Sequence, residues 1–186
     1  MDKTLSERLA AGICNLSFND LNPSQISKIR TYFLDWLGSA IAGSNQEPVQ
    51  MVLGVVREMG GNPESTVIPA FSRSSCLNAA LVNGASSHIV EMDDLHRESV
   101  LHPAAVIIPA VFAQAERQRA SGADLILGIA AGYEIGIRVA MGVGLSHYHF
   151  WHTTATCGTF GAAAGVAKLM NLDAEQTANA LGSAGT

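Results

Sequence analysis

An all-α domain, built as a multi-helix bundle, is the fold this sequence predicts, and three observations predict it. Apolar residues recur at helical spacing along nearly the whole chain. Several of these segments open on a capping signature, a Ser, Thr, Asn or Asp followed three residues later by a partner that reaches back. Eighteen glycines and many alanines let helix backbones approach closely. With 186 residues, a single domain spanning 1–186 is expected, long enough to bury a sizeable core.

The elements follow in order. Thr4 and Glu7 form a capping box ahead of Leu5, Leu9, Ile13 and Leu16, which share one helix face. Asn22-Pro23 with Gln25 starts a second helix that turns Ile26, Ile29, Phe33, Trp36, Leu37 and Ile41 inward and stops near Gly43. A third runs from about Pro48 to Met59 and ends at Gly60-Gly61. Ser65 to Pro69, with three β-branched residues, is the only plausible strand. Ser74 or Ser75 caps a helix reaching about Val90, and His102-Pro103 opens an apolar helix that fades at Arg117 to Arg119. Asp124 to about Val143 is apolar on nearly every side and therefore central. Thr156 to Met170 is a small-residue helix with Gly158, Gly161, Ala162 and Gly165 on one stripe. Asp173 with Gln176 caps the last helix, which is still apolar where the sequence stops. That ending reads as a chain cut within its fold, since domains usually close on polar, exposed residues.

Composition narrows the function classes. A net charge of −5 argues against nucleic acid and anionic membranes as partners. No Asp, Glu, Lys or Arg occurs from Val139 to Ala167, but His147, His149, His152 and several Thr and Gly interrupt the run, so buried core is favoured over a membrane span. Cys14, Cys76 and Cys157 are scattered and odd in number, the pattern of reduced thiols in a cytoplasmic protein. The N-terminus leads directly into an amphipathic helix and carries no signal-peptide pattern.

All six histidines lie between His88 and His152. One group is Glu91-Met92-Asp93-Asp94-Leu95-His96-Arg97, followed by His102-Pro103. Such crowding of carboxylates is expected to raise the pKa of at least one, which suits acid–base work; a solvated acidic loop after a helix is the plainer reading. The other is His147-Tyr148-His149-Phe150-Trp151-His152-Thr153-Thr154 ahead of a Gly-rich helix start. The free N–H groups there suit a carboxylate near Thr153 to Cys157. Metal is the rival for these histidines, but no CxxC, HExxH or other familiar ligand spacing occurs. Arg138 is expected in a buried ion pair with Glu134, and Arg97 is placed to pair with Asp93 or Asp94.

Six ordered segments together resemble the MmgE/PrpD family along nearly the whole chain. They are Asp35-Trp36-Leu37-Gly38; Asn83-Gly84-Ala85 through His88 to Glu91-Met92-Asp93-Asp94; His102-Pro103; Gly132-Tyr133-Glu134 with Arg138; Trp151-His152-Thr153-Thr154 with the Gly158 to Leu169 helix; and Asn179-Ala180-Leu181-Gly182. The resemblance implies the N-terminal helical part of a larger two-domain enzyme whose later α/β lid is absent here. It implies a lyase of small polycarboxylates, 2-methylcitrate dehydratase-like, that moves a proton next to a carboxylate without metal or organic cofactor. Cis-aconitate decarboxylase-like or iminodisuccinate epimerase-like activity uses the same parts, and a non-catalytic helical or assembly module is the reading from another class. Asp93, His102 and His152 would be catalytic, with Glu91, Asp94, Thr153 and Thr154 holding substrate. A homodimer is expected, because a helical domain without its lid leaves apolar surface uncovered. This sequence departs from the family pattern at Glu91, Leu95 and Thr153 and in a loop one residue longer before His102. The family's later lysines are absent.

Overall fold

The computed structural model describes residues 3–185, so the first residues of the amino-terminal reading, Met1 and Asp2, lie outside the described part, as does Thr186. Eight α-helices run in order among the described residues: α1 (Leu5–Asn15), α2 (Pro23–Gly43), α3 (Glu47–Met59), α4 (Cys76–His88), α5 (Pro103–Gln118), α6 (Gly122–Tyr148), α7 (Thr153–Leu169) and α8 (Ala174–Ala184). The capping boxes expected at Thr4, Asn22 and Asp173 are all formed, and Ser121 with Asp124 adds another at the start of α6.

The strand expectation needs one correction. Ser65–Val67 (β1) is a strand, but it pairs antiparallel with a second, Ser72–Ser74 (β2), that the sequence reading did not assign. Ser72-Arg73-Ser74 has neither β-branched nor aromatic residues, so propensity gives no signal. The hairpin is held from outside instead. Asn83 of α4 is fully buried; its Oδ1 accepts from Ile68 N–H at 2.9 Å, and its Nδ2 donates to the Thr66 carbonyl at 2.8 Å.

The helices meet through small residues. A methyl group on Gly161 of α7 would lie 2.8 Å from the Gly132 carbonyl of α6, and one on Gly165 would lie 2.7 Å from the Gly128 carbonyl. On α2, a methyl group at Gly43 would collide with the Ser86 carbonyl of α4, while Ser86 Oγ donates to the Ala40 carbonyl at 2.6 Å. Pro109 inside α5 cannot donate to the Ala105 carbonyl, and Gly84 of α4 packs directly on that carbonyl. Thus α4 and α5 lie close along their length, which brings the end of one beside the start of the other. The core runs from Trp36 and Ile29 of α2 through Ile107, Ile108 and Val111 of α5 to Ile129 of α6 and Leu169 of α7.

Among the described residues α6 is the helix long and apolar enough to cross a membrane. Here it packs against α7 and, less extensively, α5, with Gly128, Ile129, Ala131, Gly132 and Ile135 buried. Its regular path breaks at Gly144 (φ 70°, ψ 175°), next to the Val143 end read from sequence. Helix α7 starts at Thr153, three residues before the expected Thr156.

Candidate active site

The site is assembled where α4 ends, α5 begins and α7 begins. His88 is the last residue of α4, and His102 and His152 are the N-caps of α5 and α7. Asp93 lies in the turn after α4 with its side chain wholly buried. Its Oδ2 is 3.0 Å from His88 Nδ1 and 3.5 Å from His102 Nδ1. The His88 ring stands 5.0 Å from that of His102 and is stacked 5.9 Å from that of His152, so it bridges the two histidines singled out by sequence. Tyr148 packs edge-on against His152. His88 itself was not assigned a role from sequence. The signal available was its place as the first of the clustered histidines, at the end of a helix that leads into the acidic turn.

Each of these groups is fixed by neighbours. Asp94 accepts from the Ala104 N–H at 2.9 Å and from the Tyr133 hydroxyl at 2.8 Å, tying the acidic turn to the first turn of α5 and to α6. Tyr133 is in turn stacked on Tyr32 at 5.2 Å. The Thr154 hydroxyl accepts from the His102 N–H at 3.0 Å, and the Thr153 hydroxyl donates to the Val100 carbonyl. Both threonines are buried, so their hydroxyls serve to lock α7 onto the turn before α5. Glu91, by contrast, is exposed, with φ 49°. Val100 also has φ 49°, a left-handed conformation that a β-branched residue rarely adopts, two residues before His102.

The electrostatics separate the histidines. The hydrogen bond that His88 makes to Asp93 raises the His88 pKa above its ordinary value, against the opposing effect of burial. Burial, then the nearby His88 and His102, lower that of His152. Asp94 is the raised carboxyl expected of the acidic turn, but the main cause is burial, with crowding by Asp93 a lesser one. Burial likewise raises the Tyr133 pKa, so its hydroxyl stays a donor to Asp94.

Two ion-pair expectations are corrected. Arg138 does pair with Glu134, at 2.5 Å, but both side chains are more than half exposed because that face of α6 looks outward. Among the described residues Arg97 forms no ion pair with Asp93 or Asp94; Asp93 is committed to imidazoles and Asp94 to a backbone N–H and a tyrosine. The remaining histidines stand apart. His96 Nδ1 lies 2.8 Å from Ser99 Oγ, His147 Nε2 lies 2.7 Å from Thr156 Oγ1, and the His149 ring packs on Phe150. A separate groove of about 880 Å³ runs between α1, α2 and α6, lined by Arg8, Lys28, Tyr32, Tyr133 and Arg138 among others.

Fold and site together define a helical domain that sets two imidazoles on one buried carboxylate and stacks a third on the first of them. The chain belongs to the MmgE/PrpD family: residues 7–186 match the MmgE/PrpD N-terminal domain. It is 29% identical to the cis-aconitate decarboxylase-like protein oryM of Aspergillus oryzae, over all of this chain and 41% of that protein. It is 28% identical to a cis-aconitate decarboxylase of Aspergillus terreus, over all of this chain and 40% of that protein. The chain therefore spans about two-fifths of the length of the curated relatives it matches.

Proposed function

We propose that this chain supplies the histidine-bearing half of a lyase active site for small polycarboxylates. The observation that carries the reading is the junction of α4, α5 and α7, where Asp93 contacts His88 and His102 while His152 stacks on His88. An imidazole hydrogen-bonded to a buried carboxylate, with a second imidazole 3.5 Å from the same oxygen, is suited to hold and pass a proton near neutral pH. Asp93 orients the rings, His102 and His152 face the substrate and move the proton, and Glu91 and Asp94 belong to the loop that borders it. Thr153 and Thr154 contribute by fixing the start of α7, whose free N–H groups favour a carboxylate.

The names of the relatives favour decarboxylation of cis-aconitate as the specific reaction. Loss of CO2 from the methylene carboxylate leaves an electron pair that forms a new double bond to the methylene carbon. The old double bond takes up one proton at its far carbon, and a histidine delivers it. Dehydration of a 2-methylcitrate-like substrate is the second reading. It rests on the six family segments in the sequence, and it needs the proton removed rather than delivered. The protein is further proposed to work in the cytoplasm as a homodimer, without metal or organic cofactor in its chemistry. Exposed Leu34, Met51, Phe71 and Leu77 supply apolar surface for such a contact, which light scattering tests directly.

The decisive experiment is an assay of the full-length gene product with cis-aconitate and with 2-methylcitrate, reading CO2 release and water loss separately. CO2 release that falls at least about a hundredfold in His102→Asn and His152→Asn supports the first reading. Water loss from 2-methylcitrate without CO2 release overturns it in favour of the second. Activity that survives both substitutions removes the histidines from the chemistry.

A further inference from the structure

We propose that His88 Nδ1, Asp93 Oδ2 and His102 Nδ1 form a three-ligand site for a borderline divalent ion, best matched by Zn2+, and that the bound ion blocks the site's chemistry. Binding of the ion stands on geometry alone. The blocking effect rests on the reading above, in which Asp93 orients the rings and His102 moves the proton.

The donor spacing carries the inference. Tetrahedral Zn2+ with bonds of about 2.0–2.2 Å places its ligand atoms about 3.3–3.5 Å apart. The two edges from Asp93 Oδ2 measure 3.0 Å to His88 Nδ1 and 3.5 Å to His102 Nδ1, and each of the three residues offers a donor atom within 4.8 Å of those of the other two. The sequence conceals this set, because His88, Asp93 and His102 follow no familiar ligand spacing; the packing of α4 on α5 brings them together.

A second observation points the same way. His102 Nδ1 is buried and has no hydrogen-bond partner. Buried polar nitrogens normally find one, and a ligated cation would satisfy this atom. The mounting is also rigid. The His102 backbone is held by Thr154, and the acidic turn is held by Asp94 through Ala104 and Tyr133. Outer contacts of this kind orient ligands and strengthen metal sites.

Donor chemistry selects the ion. Two imidazole nitrogens and one carboxylate oxygen suit Zn2+, Co2+ or Ni2+, whereas Mg2+ and Ca2+ need mostly oxygen ligands. Three protein ligands leave a position open toward the exposed side, where His152 stands. An ion seated there takes the atoms of Asp93 and His102 that would otherwise orient or carry the proton, so turnover stops.

The test titrates the chelator-treated 186-residue chain with Co2+, reads its visible ligand-field bands, and then displaces it with Zn2+. One Co2+ per chain is expected, displaced by Zn2+ and unaffected by excess Mg2+. His88→Gln and His102→Gln should each weaken binding at least about tenfold. The double change His147→Gln and His149→Gln should leave it unaltered. His88 is partly exposed at a helix end, so His88→Gln gives the answer even if His102→Gln fails to fold. Absence of bands at one equivalent overturns the site, as do bands that survive in His88→Gln but vanish in the His147 and His149 double variant. With the full-length gene product, Zn2+ should abolish turnover in parallel with its binding. Binding that requires His88 but leaves turnover unchanged keeps the ion site, and overturns both the blocking effect and the assignment of Asp93 and His102 to proton handling.

Discussion

Asp93 and His88 form a hydrogen-bonded pair across the turn that ends α4, with the carboxylate wholly buried and the imidazole about one-third exposed. The pair converts a helix terminus into a chemical feature, since it fixes which nitrogen of His88 faces the carboxylate.

The pair predicts opposite titrations for two stacked rings. Asp93 raises the pKa of His88, whereas burial and the neighbouring histidines lower that of His152. In the metal-free chain, NMR should show His88 losing its proton above pH 6.5 and His152 below it. For His88, the stabilisation is fully present below the unfolded pKa and is lost as pH rises through the folded pKa. For His152 the sign reverses, because native stability is lost as pH falls below 6.5. Asp93→Asn should bring the His88 titration down toward the ordinary histidine value and remove its stability contribution in mildly acidic solution. Unchanged His88 titration in Asp93→Asn would contradict the pairing.

Asn83→Ala tests how the hairpin is attached to α4. The substitution leaves the Ile68 N–H and the Thr66 carbonyl without their partner in a buried setting. Each unsatisfied group costs about 1–3 kcal/mol. Thermal unfolding should fall by about 2–4 °C for each kcal/mol lost in a chain of this size. A variant as stable as the parent would mean that water replaces both hydrogen bonds.

Gly161→Ala tests the contact between α6 and α7. The added methyl would sit 2.6 Å from Ile107 Cδ1 and 2.8 Å from the Gly132 carbonyl, and backbone cannot yield as a flexible side chain can. Overpacking of this kind costs about 1–3 kcal/mol, which outweighs the roughly 1 kcal/mol that alanine adds to helix propensity. Gly182→Ala has open space around the new methyl and should be neutral or mildly stabilising. Denaturant unfolding of the two variants side by side checks the contrast.

The helices were legible because local signals and packing agree. Thr4, Asn22 and Asp173 cap where the sequence places them, and the apolar stripe of α2 delivers Ile29 and Trp36 to the core. β2 was not legible, since Ser72-Arg73-Ser74 is ordered by pairing with β1 rather than by its own propensity. The site was half legible. Histidine clustering and the Asp93 turn pointed to it, but the central place of His88 depends on how closely Gly84 lets α4 approach α5, a distance no local pattern records. Arg138 was assigned to a buried pair because α6 is apolar on most sides, yet the helix keeps one open flank.

The last prediction is that this chain by itself turns over substrate slowly or not at all. Moving a proton beside a carboxylate, or expelling CO2, builds negative charge that positioned cations or N–H donors must meet. Removal of one such donor typically costs about 10² to 10³ in rate. The only lysines are Lys3, Lys28 and Lys168. Lys168 donates to the Cys14 carbonyl at 3.0 Å, at the far end of α7 from His152, and Lys28 lines the groove between α1, α2 and α6. Neither reaches the junction of α4, α5 and α7. The histidines there are partly open to water, with His102 about one-fifth exposed, which weakens every remaining electrostatic contact. The 186-residue chain is therefore expected to bind a di- or tricarboxylate weakly and to release CO2 from cis-aconitate at least about a hundredfold more slowly than the full-length gene product. Steady-state assays of both polypeptides under one set of conditions decide the matter. Equal rates would show that the helical part carries every group the reaction needs.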